Sequence, residues 1–137
     1  MSKKLISITL TLLMVLALAA CSSGLDGVDA FQTASGYNRK NSETVVGHLK
    51  VQGVVIKDVR KLENEEKKEN LLQAMPEIAS DSEMVEFLDL MIMAYDIYTI
   101  TGKDGMEYRM VLSLGRTDIT GLNNKTTGEF LVPKPAN

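Results

Sequence analysis

The 137-residue chain has no tryptophan, one cysteine and one histidine, and aromatic residues make up only 5% of it. A single cysteine excludes a disulfide within the chain and also excludes a cysteine metal cluster. Carbohydrate sites depend on aromatic surfaces, so the scarcity of aromatic residues argues against a sugar-binding or glycosidase site. The residue types that most often carry chemistry are therefore rare in this protein.

The one histidine, His48, falls within a predicted strand. A histidine that acts as the base of a triad needs a serine and a carboxylate beside it. The chain contains no G-x-S-x-G motif that would mark such a nucleophile. We interpret His48 as a surface or half-buried strand residue, and we predict no catalytic residue in the chain.

Methionines and clustered carboxylates suggest two further kinds of site. Met91 and Met93 could offer thioether ligands to Cu(I), but methionines in an apolar run are more often adaptable core residues. Glu83, Glu86 and Asp89 fall on one face of a predicted helix, which is typical of a solvated acidic face. We therefore predict no metal site and no cofactor.

The first twenty residues have the organisation of a secretory signal peptide. Lys3 and Lys4 form a positive start, and Leu5 to Ala20 is an apolar run interrupted only by hydroxyl residues. The run is shorter than the roughly 20 apolar residues that a spanning helix needs, and no basic cluster follows it. The alternative is a short transmembrane anchor that stays attached.

The end of this run, Leu18-Ala19-Ala20-Cys21, resembles the lipobox of bacterial lipoproteins over its full pattern. The resemblance implies that the Cys21 thiol receives a diacylglyceryl group and that cleavage separates Ala20 from Cys21. The residue after the cysteine is Ser22 and not aspartate, which in this class implies the outer membrane, facing the periplasm, if the host has two membranes. In a host with one membrane, the protein would lie on the outer face of the cell membrane.

The charge of the mature chain limits the kinds of partner that it can bind. Removal of residues 1–20 removes Lys3, Lys4 and no acid, which leaves 13 basic and 18 acidic residues. This balance argues against nucleic acid, because phosphate binding needs clustered lysine and arginine. We also expect mild repulsion from anionic headgroups, so the membrane partnership depends on the lipid at Cys21.

We predict three parts of the chain: a signal peptide over 1–20, a lipidated N-terminus and flexible tether over 21–43, and a single domain over 44–137. The tether prediction depends on Ser22 to Asn41, where three glycines and isolated apolar residues show no sustained period. The alternative is that Val28, Ala30 and Phe31 dock onto the domain as a short arm.

The strand predictions start with a Val- and Ile-rich stretch from Thr44 to Val59, with a bulge or bend at Gly53. Later segments predict a hairpin, a loop and a short edge strand. The hairpin has strands Tyr95–Thr101 and Glu107–Leu114, a turn at Gly102–Gly105, and one face formed by Tyr108, Met110, Leu112 and Leu114. The loop is Gly115–Thr127 and the edge strand is Phe130–Val132.

Two helices are predicted between these strands. Lys61 to Met75 has a helical pattern that Pro76 ends or kinks. Ser80 to Glu83 resembles a capping box that opens a second helix from Asp81 to about Leu90. Residues 90–94 fit a helix end or a strand start equally well. The order predicts an α+β fold: a small antiparallel sheet with one or two helices on one face, preceded by a signal helix and a flexible tether.

Two classes of function remain open. The first is a noncatalytic, membrane-tethered interaction or accessory module that binds an unidentified envelope protein, and an exposed apolar patch would support it. The second is a small-ligand-binding or enzymatic lipoprotein with a pocket between the sheet and the helices. A pocket that converges on Arg109, His48 or Tyr98, with a perturbed pKa, would support the second.

Overall fold

A computed structural model of the protein describes residues 26–133, so the predicted signal peptide, the lipobox and Cys21 lie outside the described residues. No helix among the described residues is both long enough and apolar enough to cross a membrane. In chain order, the elements are α1 (Val28–Ser35), α2 (Arg39–Val51), β1 (Ile56–Lys61), α3 (Asn64–Ala74), α4 (Pro76–Ala79), α5 (Ser82–Glu86), α6 (Leu88–Met91), a 3-10 turn (Ile92–Ala94), β2 (Tyr95–Gly102), β3 (Glu107–Ser113), β4 (Ile119–Asn124) and β5 (Phe130–Val132).

The five strands form one antiparallel sheet in the order β1-β2-β3-β4-β5, so each strand pairs with its neighbours in the chain. This arrangement confirms the predicted α+β class. The predicted hairpin of β2 and β3 is also confirmed, with Tyr98 opposite Met110 and Thr101 opposite Glu107. Its turn residue Gly105 has φ 84°, a left-handed conformation that glycine adopts without steric cost.

Helices cover both faces of the sheet, so the prediction that they pack on one face is wrong. One core cluster joins α1 and α2 to Tyr98, Met110 and Leu122. A second cluster joins α3, α4 and α6 to Ile97 and Val111, which point to the opposite face. Because β2 and β3 carry apolar side chains on both faces, each face must be covered to remove them from water.

The segment before α2 belongs to the packed structure, which corrects the predicted tether from Val28 onward. Val28 and Phe31 of α1 are fully buried. The Phe31 ring lies 5.2 Å from the Tyr98 ring and 5.6 Å from the Tyr37 ring, measured between centroids. The apolar residues of α1 therefore dock as the alternative expected, but as a helix. The sequence did not predict this helix because only two of its residues, Val28 and Phe31, are buried, and two isolated apolar residues show no sustained period.

The predicted strand from Thr44 to Val59 is wrong for most of its length, because α2 occupies residues 39–51. The Asn38 side chain accepts a hydrogen bond from the Asn41 N–H and caps the helix start. Its buried residues follow a helical spacing: Ser42, Val45, Val46 and Leu49. The helix covers the sheet with this face, and that burial outweighs the preference of valine for strands.

Gly53 ends α2 and does not form a strand bulge. Its φ is 83°, and its N–H bonds to the carbonyl of Lys50 at 2.9 Å. The N–H of Val54 bonds to the carbonyl of Leu49, also at 2.9 Å. These two bonds are the Schellman motif that commonly ends a helix at glycine. The chain then enters β1 at Ile56, close to the predicted end of the strand.

The helices on the second face agree with the sequence in part. The predicted helix Lys61–Met75 is confirmed by α3 over Asn64–Ala74, but its predicted first residue, Lys61, is the last residue of β1. The second predicted helix is divided into α5 and α6 at Phe87. Asp81 is the cap residue, and its Oδ1 accepts hydrogen bonds from the N–H groups of Glu83 and Met84. Ser80 instead donates to the carbonyl of Glu77. Residues 90–94 are helical, so they form a helix end and not the start of a strand.

The predicted loop Gly115–Thr127 contains a strand, β4, and this prediction is wrong. Its middle residue Leu122 is fully buried opposite Met110. The Asn124 side chain accepts hydrogen bonds from the N–H groups of Thr126 and Thr127, which turns the chain towards β5. Asparagines usually indicate loops, but here both lie at the end of a strand, and the Asn124 side chain forms the turn that follows. The edge strand β5 is confirmed. Leu114, expected on the same face as Tyr108, Met110 and Leu112, lies beyond β3 and is exposed.

Candidate functional site

The residues on which the anchor prediction depends, Ala20 and Cys21, lie outside the described residues. The remaining candidates can be located. His48 lies on α2, half-buried, with Nδ1 3.0 Å from the carbonyl oxygen of Thr117. A shallow groove of about 280 Å³ beside it includes Asp118 and Val132. The described lining of this groove contains no serine or cysteine, so it offers His48 no nucleophile to activate.

Tyr98 and Arg109 lie on opposite faces of the sheet. The Tyr98 hydroxyl is buried among the residues of the first cluster, has no hydrogen-bond partner in the described part of the chain, and has its pKa raised well above the usual value by this burial. Arg109 Nε donates to Asn70 Oδ1 at 2.6 Å, and another of its nitrogens donates to Gln73 of α3. Burial lowers the pKa of Arg109. Because the two side chains lie on different faces, they do not form one pocket.

The candidate metal ligands are dispersed in the same way. Residues 26–133 contain no group of three or more histidine, aspartate or glutamate side chains that could hold a metal ion. Met93 is 68% exposed and lies in the 3-10 turn, beyond the helix that contains Met91. Glu83 and Glu86 are exposed on α5, and Asp89 pairs with Lys68 Nζ at 2.5 Å. All three carboxylates are exposed, as expected of a solvated acidic face, but they do not share one helix, because Asp89 lies on α6.

The same segment carries the most conspicuous surface feature of the described structure, a concentration of exposed apolar side chains. Phe87 is 58% exposed, Leu90 66% and Met93 68%. We call these residues, together with the neighbouring exposed Met84 and Val85, the apolar surface. Large apolar side chains are exposed singly on most proteins, whereas here five are exposed within ten residues of the chain.

The short helices of this segment explain why it stays exposed. Leu88 is its buried contact with the second cluster, where it joins Ile97 and Val111. The break at Phe87 shortens α5 to five residues and α6 to four. Helices of one turn cannot direct a continuous apolar stripe at the sheet. Most apolar side chains of the segment therefore point to solvent.

The apolar surface lies in an acidic surrounding. Between Glu69 and Gly102 the chain contains no lysine, arginine or histidine, and it contains seven acids: Glu69, Glu77, Asp81, Glu83, Glu86, Asp89 and Asp96. Asp96 is buried and pairs with Lys61 at 3.6 Å, and Lys68 offsets Asp89. This long interval without basic residues is visible in the sequence, but the helix predictions gave it no significance.

A second charged feature lies at the other side of the molecule. A groove of about 330 Å³ runs beside Asp26, at the start of α1, and is lined by Arg39, Lys57 and Lys103. A smaller adjoining cavity adds Lys50. We call these four cations around Asp26 the basic groove. Asp26 Oδ2 lies 2.5 Å from Lys103 Nζ, and this hydrogen bond lowers the pKa of Asp26.

Comparison with known proteins adds no relatives: no protein-family model, no curated protein and no solved structure matches the chain.

Proposed function

We propose that the protein is a noncatalytic, lipid-anchored interaction module of the bacterial cell envelope. The anchor follows from the resemblance of Leu18-Ala19-Ala20-Cys21 to a lipobox, with the acyl chains on Cys21. The observation that carries the interaction role is the apolar surface, where Phe87, Leu90 and Met93 are each more than half exposed. An exposed apolar concentration on a small domain is stabilised when a partner covers it.

The charges around the apolar surface define the partner. Glu83 and Glu86 lie among its exposed apolar side chains, and neither forms an ion pair within the described structure. A matching protein surface presents apolar side chains bordered by lysine or arginine, because complementary potentials favour the encounter and fix its register. Anionic headgroups would meet these acids with the same sign of charge, so a protein is the better match.

The distribution of the polar residues supports a noncatalytic role. The pocket alternative depended on three residues that lie in different places. His48 lies on α2, Tyr98 on one face of the sheet and Arg109 on the other face. Arg109 is held by the neutral side chains of Asn70 and Gln73. Nucleophilic catalysis of the triad type needs a nucleophile, a base and its orienting group within hydrogen-bond reach of each other.

Site-specific photocrosslinking in the native envelope tests the interaction role. A photoreactive amino acid at Phe87 should form one discrete adduct with a partner protein, and Leu90→Asp in the same chain should abolish that adduct. The matched control is the same amino acid at Val51, which is 83% exposed but lies at the end of α2. The partner peptide joined to position 87 should contain apolar residues bordered by lysine or arginine.

Equal crosslinking from positions 87 and 51, or adducts that survive Leu90→Asp, would contradict this role. Crosslinks from position 87 to lipid in place of protein would identify the surface as a membrane contact and would also contradict it.

A further inference from the structure

We infer that the basic groove is a docking surface for the anionic headgroups of the membrane that holds Cys21, so that the apolar surface faces away from that membrane. The inference rests on the proposed lipid anchor and specifies how the anchored domain is oriented. Three observations carry it: the length of chain before Asp26, the charge of the groove, and the positions of the two surfaces on the sheet.

The first observation is a limit set by covalent geometry. Cys21 and Asp26 are five residues apart. An extended chain covers at most about 3.6 Å per residue, so the lipid-bearing residue lies within about 18 Å of Asp26. The domain is therefore held close to the headgroups, and the end of the molecule that carries Asp26 lies within their reach. This is a much shorter connection than a tether reaching to Asn41 would be.

The second observation is the charge at that end. Arg39, Lys50, Lys57 and Lys103 surround Asp26. Two of these cations are paired: Lys103 with Asp26, and Arg39 with both Glu43 and Asp29, the other acid of the groove. The side chains of Lys50 and Lys57 form no ion pair within the described structure. Basic residues near a membrane are attracted to the negative surface potential of anionic lipids over a Debye length of about 8 Å.

The net negative charge of the mature chain does not describe the charge at the end of the domain that carries Asp26. The interval from Glu69 to Gly102 carries seven of the 18 acids and no base, so the rest of the mature chain has 13 bases against 11 acids. Mild repulsion is what the sequence average predicts, whereas the folded domain separates a basic end from an acidic segment. Headgroups that the lipid holds within reach meet an end where four cations outnumber the two acids of the groove.

The third observation is the position of the apolar surface. The 3-10 turn with Met93 leads directly into the start of β2, whereas Lys103 follows its end. The eight residues of β2 span about 23 Å at about 3.3 Å per residue. The apolar surface also lies on the sheet face covered by α3, opposite to α1. It is therefore at the opposite end and on the opposite face from the basic groove, which leaves it open to a partner.

Fluorescence quenching in vesicles tests this orientation. The lipidated protein is reconstituted into phosphatidylcholine vesicles with or without phosphatidylglycerol, and a quencher is attached to the headgroups. With Cys21 carrying lipid, an introduced cysteine is the only free thiol, so a fluorophore can be placed by Gln52→Cys near Lys50 or by Leu90→Cys. Quenching should be several-fold stronger at position 52 than at position 90, and only with phosphatidylglycerol present.

Charge reversal supplies the matched controls. The double variant Lys50→Glu/Lys57→Glu should remove the difference between the two positions. Lys67→Glu/Arg116→Glu, which changes the net charge equally but outside the groove, should retain it. Circular dichroism checks that both variants fold.

Equal quenching at the two positions, stronger quenching at position 90, or the same result without phosphatidylglycerol would overturn the inference. Intact mass measured on the same samples separates the two proposals. Lipid on Cys21 with equal quenching contradicts the orientation alone, whereas a protein without lipid contradicts the anchor on which it rests.

Discussion

Met110→Asp tests the assignment of the sheet faces most severely. Met110 is fully buried in the first cluster, opposite Tyr98 on one side and Leu122 on the other. Loss of its buried side chain costs about 2–3 kcal/mol. A carboxylate without a partner at that position adds several kcal/mol. The total of about 5 kcal/mol or more equals much of the 5–15 kcal/mol that stabilises a typical domain.

The assay is urea unfolding followed by circular dichroism on the purified protein. Met110→Asp should be unfolded without denaturant or should unfold at a much lower urea concentration. Met110→Leu, which keeps the volume, should cost less than about 1.5 kcal/mol. The matched control is Met93→Asp, because Met93 is 68% exposed and a surface substitution costs about 0.5 kcal/mol or less. If Met110→Asp and Met93→Asp unfolded at the same urea concentration, the burial argument would be refuted.

Three further predictions concern α1, the hairpin turn and metals. Gly27→Ala should destabilise the protein by about 1–3 kcal/mol more than Gly36→Ala in urea unfolding. The reason is that a Cβ at Gly27 would lie 2.4 Å from the Ile56 Cβ, whereas a Cβ at Gly36 would have no atom within 4 Å. Equal losses of stability would contradict the packing of α1. The Tyr108 hydroxyl donates to Asp104 at 2.6 Å and lowers the pKa of Asp104. Tyr108→Phe should therefore raise the pKa of Asp104 in an NMR titration. The stability that this bond contributes should be present at neutral pH and lost as the pH falls through the folded-state pKa of Asp104. An unchanged Asp104 titration would exclude the bond. The purified domain should retain no copper or zinc after dialysis against a chelator and should show no hydrolase activity; stoichiometric metal would overturn this prediction.

The parts of the fold that the sequence predicts well are those with strong local signals. The β2–β3 hairpin has alternating β-branched and aromatic residues on both sides of a turn with two glycines, so local chemistry alone determines it. The helix α3 is equally local, with a charged start and a proline directly after Met75. Such segments carry their pattern within a few residues and do not depend on distant contacts.

Elements whose state depends on tertiary packing are those that the sequence mispredicts. In α2, valines favour a strand, but the spacing of Val45, Val46 and Leu49 is helical, and burial against the sheet decides between the two. The strand β4 has few β-branched residues and is held by pairing with β3. The apolar surface depends on the break at Phe87, which no proline or glycine marks.

The basic groove could not be predicted from the sequence because its cations come from distant segments. Arg39 and Lys50 lie on α2, Lys57 on β1 and Lys103 after β2, and only the fold brings them to Asp26. The acidic interval between Glu69 and Gly102 is, in contrast, contiguous and can be counted in the sequence. Of the two charged features, only the acidic interval can therefore be recognised before the fold is known.

Intact mass and detergent partitioning of the membrane-derived protein test for the lipid on Cys21. We expect a mass that begins at Cys21 with added acyl chains, and partitioning into the detergent phase. Cys21→Ser keeps a similar size but removes the thiolate nucleophile, so it should lose the lipid and the cleavage that depends on it without loss of the fold. A wild-type protein without a lipid addition at Cys21, or one that retains residues 1–20, would contradict the account and indicate a signal anchor.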